Sequence, residues 1–166
     1  MTRLAILVAL YFVAGFLGKG SSFSRGELVM VLPQAGIALG AILLFGKQYW
    51  PAIAIGAFLS SVWSSHVVGF FSLGIALGST LGALACGIVL ELFFRFRTSM
   101  ERVRDVAGFV VAACLVGAGI NAFFEAGGLC LDGSVPWRDL FFTTGKLWIP
   151  NALALLIVAP VLLTWR

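Results

Sequence analysis

The chain has 166 residues, of which 61% are hydrophobic and 11% charged, with a net charge of +4. A soluble domain carries roughly 25% charged residues, so this chain has too few to cover a water-facing surface, and lipid is the solvent that suits it. Nucleic-acid binding is excluded because basic residues cluster in one short loop only, while Cys86, Cys114, Cys130 and the single His66 lack metal-ligand spacing, so no metal or cofactor is expected.

Uncharged runs mark the spans, because a charge at the bilayer centre costs at least ~2.5–3.5 kcal/mol on insertion scales. The first run, 4–18, lies between Arg3 and Lys19. It lacks a small-x-small cleavage site and reads as a retained helix rather than a removed signal. The second, 28–46, lies between Glu27 and Lys47. The next stretch is too long for one helix, and the polar cluster Ser64, Ser65 and His66 splits it into spans near 48–63 and 68–94. A fifth span falls near 106–127 and a sixth near 143–165. The expected fold is all-α: one domain over 1–166, a polytopic bundle of about six transmembrane helices.

Orientation follows from the loops. With the N-terminus inside, cytoplasmic segments hold Arg3, Lys47, Arg95, Arg97, Arg102, Arg104 and Arg166. External segments hold Lys19, Arg25 and Arg138, with Lys146 opening the last span. Seven against three favours both termini inside. The expected place is a membrane, crossed several times.

Small residues recur every four positions: Gly36 and Gly40 in the second span, Ala52, Gly56 and Ser60 in the third, Gly74, Gly78 and Gly82 in the fourth. Such stripes let helix backbones approach where no hydrophobic effect drives them together. They serve packing within one chain or in a homodimer, and spacing does not choose between the two.

Polar residues inside lipid are expensive, and each is a site by default. In the orientation above most fall in the outer half: Gln34, Ser60, Trp63, Asn121, Glu125, Lys146, Trp148 and Asn151. Asn121 and Glu125, four apart, share a helix face. Glu125 and Lys146 are expected to meet across antiparallel neighbouring helices. Pro150 frees a backbone carbonyl near Lys146. Two readings stay open: a structural ion pair with amides as helix glue, or an outward pocket for an unknown small molecule lined by Gln34, Trp63, Asn121, Glu125, Lys146, Trp148 and Asn151. Near the inner end, Glu91 is expected to pair with Arg95, its i+4 neighbour. No Ser/His/acid set, P-loop or HExxH motif is present, so catalysis has no support.

The order of motifs adds a resemblance. Val31-Leu32-Pro33-Gln34-Ala35-Gly36-Ile37-Ala38, followed by Phe45-Gly46-Lys47-Gln48-Tyr49-Trp50-Pro51, resembles the opening of the first class of membrane-associated sensor (MASE) domains. That family typically starts a helix with Pro-Pro-Ala-Gly and turns on Gly-basic-x-Tyr-Trp-Pro. Ala76-Leu77-Gly78-Ser79-Thr80-Leu81 is similar to its fourth helix, and Arg102-Val103-Arg104-Asp105-Val106 to its basic loop. Trp148-Ile149-Pro150-Asn151-Ala152-Leu153-Ala154 through Val158-Ala159-Pro160 resembles its closing segment. Asn151 stands where the family often has Asp, Ser79 where it often has Asn, and Gly82 where Glu is frequent. The resemblance implies a sensory input that passes its state to a cytoplasmic output domain, a histidine kinase or a diguanylate cyclase, in the same polypeptide or a partner chain. The rival reading from the residues is a small-molecule transporter or its substrate-binding membrane subunit.

Overall fold

A computed structural model describes residues 33–65, 69–94 and 103–164 of the chain. Every regular element among them is helical. Helix α1 (Pro33–Phe45) leads through a 3-10 turn (Lys47–Tyr49) into α2 (Trp50–Ser65). Helix α3 (Phe70–Val89) is prolonged by a π-helical turn (Leu90–Phe94). Helix α4 (Val103–Val111) continues through a π segment (Ala112–Gly117) into α5 (Ala118–Leu131). A 3-10 turn (Trp137–Asp139) opens α6 (Leu140–Thr164). These helices overlap the last five apolar runs, with ends that differ by several residues. The expected first span, 4–18, His66 and most of the basic loop at 95–104 lie outside the described residues.

Among the described residues, three stretches are long and apolar enough to cross a bilayer: Phe70–Leu92, Asp105–Leu131 and Trp137–Thr164. Helices α1 and α2 are shorter, at 13 and 16 residues. The turn between them is set by Gly46, whose φ of 93° is a conformation that L side chains rarely adopt.

Glycine decides how the long helices meet. A Cβ built on Gly74 would stand 2.5 Å from the Phe124 carbonyl oxygen, and one on Gly82 would stand 2.8 Å from that of Gly117. From the other side, a Cβ on Gly128 would stand 2.9 Å from the Phe70 carbonyl oxygen. Helices α3 and α5 therefore touch backbone to backbone, antiparallel. Gly36 meets Ala154 and Val158, and Gly40 meets Leu162, so α1 runs parallel to α6. The glycines of α1 and α3 thus pack within one chain. Gly56 is buried in α2. Around these contacts the core consists largely of alanine: Ala38, Ala57, Ala113, Ala118, Ala154 and Ala159 are fully buried. Large apolar side chains such as Leu77, Leu81, Phe123 and Ile157 point outward, as lipid permits.

Both ends of the bundle carry a polar fastening. At one end Lys47 Nζ lies 2.7 Å from Glu91 Oε2, tying the α1–α2 turn to the end of α3. Glu91 thus meets Lys47, while its expected partner Arg95 lies outside the described residues. The pair is half exposed and contributes under ~1 kcal/mol.

At the other end the first turn of α3 has free N–H groups, and its N-cap, Gly69, has no side chain to accept them. Asp132, just past α5, accepts the N–H groups of Phe70 and Phe71, one on each carboxylate oxygen, both at 2.8 Å. Replacing Asp132 with Ala should cost about 1 kcal/mol. The measurement is the thermal unfolding of D132A beside D132N in lipid nanodiscs; Asn keeps one acceptor and should fall between D132A and the unmodified protein.

Candidate functional site

The face of α6 that meets α5 carries Leu147, Asn151 and Leu155. All are buried. Opposite them α5 presents Asn121 and Glu125, one helical turn apart and 3% and 2% exposed. Asn151 holds the group together. Its amide nitrogen donates to Glu125 Oε2 at 2.9 Å and to the Leu147 carbonyl at 3.0 Å. Its Oδ1 accepts a long bond, 3.4 Å, from Asn121 Nδ2. Asn121 Oδ1 is buried without a partner. It faces Gly78 of α3, where a Cβ would stand 2.9 Å from it. Glycine at 78 therefore makes room for the amide.

The expected pairing of Glu125 with Lys146 does not form. Lys146 lies five residues from Asn151, roughly 140° around the helix, and so points away from α5. Its ammonium stands 4.5 Å from the centre of the Phe142 ring, on the exposed side of α6. Direction around the helix axis was not legible from the sequence.

The remaining expected site residues scatter. Gln34 is buried in α1 and donates from Nε2 to Ser60 Oγ of α2 at 2.8 Å, while Ser60 donates to the Ala57 carbonyl. This is a second polar contact, between different helices. Trp63 is 59% exposed near the end of α2, whose main neighbour is α3. Trp148 donates its indole N–H to the Cys114 carbonyl at 2.7 Å, within the π segment of the opposing helix. A π turn shifts the backbone bonding pattern, and Trp148 holds one of its carbonyls.

The expected open pocket lined by all seven residues is therefore not present. A groove of about 580 Å³ lies between α2 and α3, lined by Trp50, Phe58, Leu77 and Leu81 among others, and none of the seven candidate residues lines it. What the structure brings together is a closed group of three: Asn121, Glu125 and Asn151.

Asp132, Ser60 and Lys47 acquire their partners only through tertiary packing. Asp132 sits in the turn after α5, and the N–H groups it accepts lie about 60 residues away, so no local signal marks it. Gln34 and Ser60 were both visible as polar residues in apolar runs, but not as partners.

Apolar helices long enough to cross a bilayer, closed around one carboxyl and two amides, define a membrane protein with a polar heart. Among the described residues no group of His, Cys, Asp and Glu could hold a metal ion. The chain belongs to the MASE1 family, whose model matches residues 3–166. Neither a curated protein nor a solved structure matches it. MASE1 is a family of membrane sensory domains, so this chain is a membrane-associated input domain and not an enzyme.

Proposed function

We propose that the chain senses a signal in the outer half of a six-span bundle, with both termini inside, and relays it to a cytoplasmic kinase or diguanylate cyclase output. The reading rests on one observation above all: Asn151 of α6 bonds Glu125 and Asn121 of α5 in a buried group with one acceptor left over. A group of this kind has more than one way of pairing. Re-pairing would shift α6 against α5, and a ligand moves such an equilibrium only by binding the two arrangements unequally.

The excess of basic residues in the inner loops supports the orientation and an inner-membrane location. Helix α6 is the natural lever: it carries Pro150 and Pro160, where its backbone can adjust. The signal would leave through its last turn.

The test is an in-frame fusion to a cytoplasmic diguanylate cyclase, read as cyclic-di-GMP in cells. Substituting Asn121, Glu125 and Asn151 one at a time should shift the basal output several-fold in at least one case at equal expression. Unchanged output from all three would end the proposal. A reporter fusion that placed Thr164 outside would reverse the orientation and end it equally.

A further inference from the structure

The three buried side chains form a run of hydrogen bonds that has a direction. Asn121 Nδ2 donates to Asn151 Oδ1 at 3.4 Å, and Asn151 Nδ2 donates to Glu125 Oε2 at 2.9 Å. An amide donates from one atom and accepts at the other, whereas an ionised carboxyl only accepts. A carboxylate at one end therefore obliges both amides to turn their nitrogens towards it. The far end shows the consequence: Asn121 Oδ1 faces Gly78 of α3 and has no donor.

We propose that a proton taken up by Glu125 reverses this run of bonds and reseats α6 on α5, which makes the group a proton switch. The carboxylate and a proton from water give the neutral acid, whose O–H donates. In the reversed run the acid donates to Asn151 Oδ1, and Asn151 Nδ2 donates to Asn121 Oδ1, which gains its missing partner. The Asn121 nitrogen then lies against α3 at Gly78, where no side chain shields the helix carbonyls, and a carbonyl that holds one N–H accepts a second. Reversal also gives up the bond from Asn151 Nδ2 to the Leu147 carbonyl at 3.0 Å. Three bonds are lost and three are gained, so the charge on Glu125 decides the direction. The same carbonyl makes the reversal mechanical. An oxygen placed where Asn151 Nδ2 now stands would face the Leu147 oxygen across 3.0 Å, so the turned amide requires α6 to rotate or slide.

Among the described residues no second charge holds Glu125 in one state. Lys146 of α6 is turned onto the Phe142 ring. From α3 the facing residues are Gly74 and Gly78, and Cys86 of that helix lies against Gly117, two turns away along α5. Cys130 is buried further along α5. Asp132 is engaged with the start of α3, and Arg138 and Asp139 pair with each other. Glu125 lies about 9 Å from the end of α5 at Leu131, so water at that end is the nearer source of protons.

The inference rests on the sensory reading of the same group and names its signal. The full chain fused to the cyclase is reconstituted in lipid nanodiscs and stepped from alkaline to acidic buffer. Infrared difference spectra and cyclase output are recorded together, and the soluble cyclase alone corrects for its own response to pH. Acid should bring up the carbonyl band of a protonated carboxyl and change the corrected output several-fold over the same range. Glu125→Gln donates as the acid does, so it should lack the band and hold the acid-level output at every pH. Asn121→Ala keeps the carboxyl and removes the oxygen that reversal satisfies. It should still titrate, at about tenfold higher proton concentration.

A carboxyl band that persists unchanged in Glu125→Gln overturns the proposal, as does a Glu125 band with no accompanying change in output. Equal proton demand in Asn121→Ala and the unmodified protein overturns it too, since the amides would then not feel the proton. If Glu125 does not titrate while substitutions at Asn151 still change the output at fixed pH, the sensory reading survives and the proton switch does not.

Discussion

Gly74→Leu should abolish the folded bundle, while Gly127→Leu, on the opposing helix, should leave it intact. A leucine at 74 has to be placed where the Phe124 carbonyl and the Gly128 Cα already stand, at 2.5 and 3.2 Å from its Cβ. Both neighbours are backbone, so neither moves without separating α3 from α5. Even modest overpacking costs about 1–3 kcal/mol, and a whole side chain at the closest helix contact should exceed that range. At Gly127 nothing lies within 4 Å. A side chain there enters open surface and improves on the poor helix propensity of glycine by several tenths of a kcal/mol. Size-exclusion profile and thermal unfolding of both variants are the measurements. Equal behaviour of the two would show that α3 and α5 do not meet at this face.

Asn151→Leu is the second substitution with a large expected effect. It removes the donor to Glu125 and the acceptor from Asn121 together, and it leaves a buried carboxyl with no side-chain partner among the described residues. Stranding a buried polar group costs about 1–3 kcal/mol and more for a charged one, so a loss of about 3 kcal/mol is expected. The diagnostic is the double variant. With Glu125→Gln in the same chain, the stranded group is neutral and much of the loss should be recovered, giving a coupling of about 1–2 kcal/mol in a double-mutant cycle. Additive losses would mean that Asn151 acts through α6 alone.

The two substitutions separate what is legible in a sequence from what is not. The glycine repeat at 74, 78 and 82 announces a close helix contact through its spacing, but the repeat carries no record of its partner. The partner proved to be α5 of the same chain, met at Phe124, Asn121 and Gly117. Asn121, Glu125 and Asn151 likewise stand out because polar atoms are costly in lipid. Their grouping depends on rotation about α6, which turns Asn151 inward and Lys146 outward. A charge count ranks Lys146 as the natural partner of Glu125, and helix geometry gives that place to an amide.

By itself, the sequence determined that this is an all-helical membrane protein and which residues are too polar to be there without a reason. Those properties follow from composition and from short-range periodicity, and they survive without knowing any neighbour. Tertiary structure alone decided which helices touch, which polar residues find one another and which face lipid. The reason is physical. In a bilayer the hydrophobic effect places the helices in lipid and gives no preference among their faces, so pairing is left to backbone fit and to hydrogen bonds between residues far apart in the chain.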